Sequence, residues 1–221
     1  MTTPVCPLDL VDRLAPNGRS VAANFKDWFR DSKVVDSKGR PLVVYHGTDQ
    51  DFAAFDKGCI GNNFRADEKG FFFTSSQLHA SNYAENDTVG LNKRLGAMVM
   101  PVYISLQRPL IIDDAFLQSE GMEPIGISED TVSFWDVYQG LILEWAQKKR
   151  ADGIILVNNR YLPNGGREPE RMVVAFEPRQ IKSALGNSGL YAPFSDELHD
   201  FRPGPTAEAV VKSKSRRSIP A

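Results

Sequence analysis

Leu42-Val43-Val44-Tyr45-His46-Gly47-Thr48 is the stretch from which the fold is read. Its first half is short, apolar and β-branched. It is bounded by Lys38-Gly39-Arg40-Pro41 in front and Asp49-Gln50-Asp51 behind. That pattern is a buried strand. Its second half is where the strand ends and a site begins. A histidine at a buried strand end is held in one orientation. The glycine after it has no side chain, so a ligand can approach its N–H and C=O closely. Thr48 adds a hydroxyl.

Around this strand the composition is that of an ordinary globular protein. Of 221 residues, 42% are hydrophobic and 24% charged, and the net charge is −2. One domain with short extensions is expected: a mobile arm over residues 1–20, a folded domain over 21–197, and a disordered basic tail over 198–221. The charge balance gives no global argument for nucleic acid or a membrane surface. The two cysteines, Cys6 and Cys59, form no CxxC pair, so a reducing compartment is the default. With three histidines (His46, His79, His199) and no HExxH or Cys/His cluster, no metal is expected. No N-terminal basic-then-apolar leader and no membrane-length apolar run is present. A monomer in the cytoplasm, or one delivered into a target cell without a signal peptide of the usual kind, is the expectation.

Upstream, Phe25, Trp28 and Phe29 lie at i, i+3, i+4 on a helix opening at Ser20. Downstream, Gly70–Thr74 is a short aromatic strand, and Ser75 or Ser76 caps a helix running to about Ala84. Val99–Ser105 and Pro109–Ile112 read as strands, and Asp113–Asp130 as irregular. Phe134–Lys149 is the longest helix, with Trp135, Tyr138, Ile142 and Trp145 on its core stripe. Gly153–Val157, Met172–Phe176 and Ile181–Ala184 are further strands. Lys57–Lys69, Glu85–Gly96 and Asn158–Arg167 read as loops, and Phe52–Phe55 as a short element. Many short strands with inserted helices give an α+β fold, a curved or split antiparallel sheet with flanking helices.

Two further groups carry chemistry. His79 and Tyr83 share a face of the second helix, beside small Ala80 and Ala84. A tyrosine flanked by small residues, near Phe71-Phe72-Phe73, makes a flat slot suited to a planar heteroaromatic ring. Glu168-Pro169-Glu170 enters the Met172–Phe176 strand, with Glu168, Glu170 and Met172 on one face. A carboxylate there can bind ribose hydroxyls and stabilise positive charge at an anomeric carbon.

In this order the three groups resemble an ADP-ribosyltransferase of the diphtheria-toxin and poly(ADP-ribose) polymerase type. More narrowly they resemble the bacterial and phage domains of that superfamily found in polyvalent proteins. The carrying residues are Val44–Thr48, Lys69–Thr74 with Ala80–Ala84, Asp152–Ile155 and Val173–Ala184, within residues 21–192. The resemblance implies an NAD cleft between split sheets, NAD as substrate and no metal. It implies that His46 bonds an NAD ribose hydroxyl, that the Gly47 backbone pairs with the carboxamide, and that Thr48 lies alongside. Tyr83 would stack on nicotinamide, with Phe72, Phe73 and Ala80 lining the ring. Phe72 stands where that family has a central tyrosine. Loop Asn158–Arg167 would face the target.

The resemblance departs at the catalytic glutamate. Counting back without gaps from Phe176-Glu177 places Met172 there. Glu170, two residues earlier, serves if the strand shifts or bulges, with Glu168 as helper. The expected reaction is mono-ADP-ribosylation of a macromolecule, protein before nucleic acid, by a toxin or effector, with Glu170, His46 and Tyr83 as the catalytic set. The alternatives are an NAD-dependent RNA 2′-phosphotransferase, with Arg65, Lys69, Arg160 and Arg167 as phosphate ligands, and a non-catalytic NAD- or target-binding module.

Overall fold

The structure, a computed structural model, describes residues 5–60, 69–85, 96–125, 131–161 and 167–201. Its centre is strand β1, Val44–Thr48. In chain order it is preceded by α1, Val21–Phe29, and followed by β2, Phe71–Thr74, and α2, Gln77–Glu85. Next come β3, Met98–Ile104, β4, Leu110–Ile112, and the short α3, Asp114–Ser119. The long α4 spans Thr131–Lys148, and β5, β6 and β7 span Gly153–Tyr161, Arg167–Ala175 and Ile181–Ser183. The α+β expectation holds. The strands form one sheet in the order β4-β5-β6-β2-β1-β3-β7, antiparallel except for β4 with β5.

The sheet is held together at its middle by little. β2 pairs with β6 over four positions, Phe71↔Ala175 to Thr74↔Met172, and β1 pairs with β3 over five, Val44↔Val102 to Thr48↔Met98. Between β1 and β2 there is one pair, Tyr45↔Thr74. Beyond it β1 and β2 part, while β1 stays paired with β3 to its last residue, Thr48.

Strand alternation places a core on each face. Val44, Phe71, Phe73, Val102, Ile155 and Val173 pack together on one side with Phe55. Ile154, Leu156, Met172 and Val174 face the other way, against Trp135, Ile142 and Trp145 of α4. The Phe25-Trp28-Phe29 face of α1 forms a third cluster with Tyr103 and Tyr191, and Ser20 caps that helix by accepting from the Ala23 N–H at 3.2 Å. Ala15 is buried in this cluster too.

Several boundaries differ from the sequence reading. β5 and β6 make a longer hairpin than the apolar residues suggest. The expected loop Asn158–Arg167 is strand at both ends, with Asn158 opposite Glu170 and Tyr161 opposite Arg167. Polar residues hide this hairpin because cross-strand pairing, not apolar alternation, sustains it. Pro169 fits because β2 pairs with β6 only from Met172 onward, so a ladder donor is missing on an open side. α3 lies in the stretch expected to be irregular, capped by Asp113, whose Oδ1 accepts from the Phe116 N–H at 2.9 Å. Phe52–Phe55 forms no helix or strand, though Ala54 bridges to Glu197. The middle of Lys57–Lys69 (61–68), most of Glu85–Gly96 (86–95) and the tail beyond residue 201 lie outside the described residues.

The described chain does not stop at the expected boundary of residue 197. Leu198 and Asp200 are fully buried. Lys182 on β7 donates to Ser195 O at 3.0 Å, Glu197 O at 2.9 Å and Asp200 Oδ1 at 2.7 Å. Burial pushes the Lys182 ammonium below its ordinary pKa, and Asp200 pulls it back up. Removing one partner leaves a buried charge uncompensated, so Asp200→Ala is expected to cost about 3–5 kcal/mol. Urea unfolding checks this; a loss under about 1 kcal/mol would show the pair to be dispensable.

Candidate active site

The site is built where β1 leaves β2. His46 lies on the same face as Val44, and its ring is surrounded by Phe55, Phe73 and Phe52 at centroid distances of 5.0, 5.5 and 6.3 Å. Its Nδ1 is 2.9 Å from the carbonyl oxygen of Phe72. A carbonyl only accepts, so Nδ1 carries the proton and donates. Burial lowers the His46 pKa below the ordinary 6.5, the Phe72 contact pulling the other way. A neutral ring with its proton on Nδ1 has Nε2 as an acceptor. The arrangement can accept a hydrogen bond from a hydroxyl, such as that of a sugar.

Gly47 is explained by a helix rather than by a ligand. A Cβ there would lie 1.9 Å from Ala80 O and 3.0 Å from Ala84 N. Helix α2 therefore crosses β1 in backbone contact, made possible by Gly47 and by the buried methyl side chains of Ala80 and Ala84. The Thr48 hydroxyl accepts from the Gln50 N–H at 3.1 Å and so shapes the turn after the strand.

The aromatic residues separate into different environments. Phe73 is buried in the core beneath His46. Phe72 turns its ring edge-on to Trp135, at 5.1 Å and 82°, and only its carbonyl faces His46. Tyr83 is 42% exposed, one turn along α2 from His79, and presents a ring to solvent beside the Gly47 crossing.

At the other end of α2 the carboxylate question resolves differently from the gap-free count. Met172 is buried core, opposite Thr74 and Leu156. β6 pairs with β5 without interruption from Arg167 to Ala175, so no bulge brings Glu170 into Met172's place. Glu170 stands on the same face by simple alternation, one step nearer the hairpin end and opposite buried Asn158. It is buried, with its Oε1 against Nδ1 of His79, a contact that is ionic only when the imidazole is protonated. Glu168 occupies the register position opposite Arg160.

The sequence sets His79 on one helix face with Tyr83 and gives it no role of its own. Its i, i+4 relation to Tyr83, pointing back towards the β2 end, was the one available signal. Among the described residues no group of three or more His, Cys, Asp or Glu is placed to hold a metal. No described helix is long and apolar enough to cross a membrane. A cavity of about 1040 Å³ runs along α4, lined by Lys57, Lys69, Gln139, Arg150 and Phe176 among others. It includes none of His46, Tyr83 and Glu170. Side-chain chemistry, not cavity size, marks the β1–β2 parting as the candidate site.

A family model described as ADP-ribosyltransferase in polyvalent proteins matches residues 36–191. No characterised protein and no solved structure gives a match.

Two measurements check this geometry. Gly47→Ala drives a methyl into the Ala80 carbonyl, and about 1–3 kcal/mol of stability should be lost in urea unfolding; an unchanged midpoint would place α2 elsewhere. His46 supplies a pH signature. The unfolded chain takes up a proton at His46 near pH 6.5, and the folded chain only at lower pH. Stability is therefore full above that value and falls as pH drops below it. His46→Gln should flatten this fall; equal slopes in the two proteins would contradict a buried neutral His46.

Proposed function

The chain belongs to the ADP-ribosyltransferases found in polyvalent proteins, and from that membership we propose that it transfers single ADP-ribose units from NAD to a macromolecular acceptor. The family uses NAD as its substrate. The observation that carries the reading to particular residues is the His46–Phe72 contact at the β1–β2 parting. It fixes an imidazole with an accepting nitrogen where the sheet opens, which suits a ribose hydroxyl of NAD.

In this reading Tyr83 stacks on nicotinamide, and the backbone of Gly47 bonds the carboxamide. Ala80 acts through the backbone contact with Gly47, which brings α2 and Tyr83 against β1. Phe73 and the Phe72 carbonyl act through His46, by packing under it and fixing its tautomer. The carbon–nitrogen bond to nicotinamide lengthens, and positive charge grows on the ribose. Glu170 supplies the negative charge that favours this state more than the ground state. What supports Glu170 over Met172 is elementary. A buried thioether offers no charge, whereas a buried carboxylate held by an imidazole does. The net charge of −2 favours a protein acceptor over nucleic acid. An effector or toxin role is the setting we propose for such a domain.

The test uses NAD labelled in its adenylate phosphate and nicotinamide release measured in parallel. Glu170→Gln should slow nicotinamide release on the order of 10²–10³-fold while NAD still binds. Tyr83→Ala should weaken NAD binding by about 2–10-fold, the loss of one ring contact. Full turnover by the Glu170 variant would remove that residue from the mechanism. Wild-type protein that binds NAD yet releases no nicotinamide would be a binding module instead.

A further inference from the structure

Resting on that reading, we propose that His79 is the general base of the site, held by Glu170, and that the acceptor is therefore a hydroxyl group of a protein side chain. Three observations converge on His79. It lies in the first turn of α2, and its backbone N–H donates to Ser76 Oγ at 3.3 Å, so its position on the helix is fixed. Its Nδ1 pairs with Oε1 of Glu170. The two side chains differ in exposure, 19% for His79 and 6% for Glu170, so the imidazole is the more accessible of the two.

The geometry is that of a buried carboxylate orienting an imidazole. With Glu170 ionised, Nδ1–H donates to it and Nε2 becomes the basic nitrogen. The carboxylate also stabilises the imidazolium that forms when Nε2 takes a proton. Glu170 thus acts through His79 and keeps the negative charge that favours a cationic ribose.

A base of this kind selects among acceptors by their chemistry. A carboxylate acceptor has no proton to lose and needs no base. A guanidinium is already positively charged and its nitrogen lone pairs are delocalised, so a cationic ribose repels it and an imidazole base does not relieve that repulsion. A hydroxyl must shed its proton as the new bond forms. In the step proposed, the acceptor oxygen bonds to the anomeric carbon of the nicotinamide ribose. The carbon–nitrogen bond breaks with its electron pair going to nicotinamide. The hydroxyl proton passes to Nε2 of His79 and from there to solvent. Water takes the same place when no acceptor is bound, giving free ADP-ribose.

The experiment compares nucleophiles that do and do not need a base. Wild-type protein, His79→Gln and His79→Asn are each given NAD with methanol or with sodium azide. Methanol carries a proton that must leave; azide, an anion, does not. Formation of methyl ADP-ribose should fall on the order of 10²-fold in the variants, the usual contribution of a general base. Azide should raise nicotinamide release by the variants at least about tenfold, and should not do so for Glu170→Gln. Failure of azide to accelerate either His79 variant, where thermal unfolding shows it folded, overturns the proposal. A purely structural role for the pair predicts that failure.

A second arm needs no variant. Wild-type protein is given labelled NAD and three synthetic peptides whose only candidate acceptors are serine, glutamate or arginine. Label on the serine peptide, stable to neutral hydroxylamine, supports the hydroxyl assignment. Label confined to the glutamate or arginine peptide overturns it. If wild-type protein releases no nicotinamide at all, the transferase reading falls and the base with it. If nicotinamide is released and azide has no effect on the variants, the base alone falls.

Discussion

Everything at the site depends on the contact between two backbones, α2 lying directly on β1 at Gly47. The Ala80 carbonyl occupies space that any other residue's Cβ would fill, and Ala80 and Ala84 are themselves almost fully buried. Three small residues on two elements make the contact, and a methyl group at Gly47 would break it. The consequences follow from the 3.6-residue turn of the helix. With Ala80 and Ala84 against the strand, His79 is directed to Glu170 on β6 and Tyr83 is left facing solvent. One helix thus ties together two halves of a sheet whose central strands share only the pair Tyr45↔Thr74. The parting is tolerated because α2 covers it on one face, and the aromatic cluster around His46 covers it on the other.

Among the described residues Lys182–Asp200 and His79–Glu170 each set a carboxylate against a nitrogen base at low exposure, and comparing them separates framework from chemistry. A lysine ammonium has three protons to donate, and Lys182 gives them to Ser195 O, Glu197 O and Asp200 Oδ1 with no exposure on either charged side chain. That pair is closed. It fastens the last described segment to β7 and offers nothing to a ligand. The Glu170–His79 pair is asymmetric, its carboxylate deep and its imidazole nearer solvent. Buried ion pairs are seldom net stabilising compared with apolar packing. A pair placed at the edge of the site, with one member reaching outward, is better understood through what it does to a bound reactant.

The strands built of apolar residues were legible because alternation and β-branching announce them, as at Val44, Gly153–Val157 and Met172–Phe176. The helix start at Ser20 and a cap at Ser75 or Ser76, which falls on Ser76, were legible from equally local signals. What the sequence concealed depends on partners far along the chain. Asn158–Tyr161 and Arg167–Glu170 carry polar side chains and a proline, yet they are strand because each faces the other. Phe72 and Phe73 are chemically identical, and only the arrival of α4 decides that Phe72 packs on Trp135 while Phe73 lies under His46. Gly47 invited a ligand in sequence and meets a helix in space. The carboxylate was the hardest element to place. The gap-free count depended on spacing to Glu177, whereas the structure distinguishes Met172 from Glu170 by what each touches.

The two imidazoles of the site show why partner identity outweighs residue identity. Both bring Nδ1 against an oxygen, and at His46 the carbonyl fixes the tautomer. The oxygen behind His46 belongs to a neutral carbonyl, and burial opposes protonation of the ring. Such a ring accepts a hydrogen bond but is a poor base, which fits binding a sugar hydroxyl that keeps its proton. The oxygen behind His79 belongs to a buried carboxylate. In the roles proposed for them, His46 on β1 holds a hydroxyl and His79 on α2 deprotonates one, each according to the oxygen behind it. The helix that carries His79 lies so close to β1 only because Gly47 has no side chain.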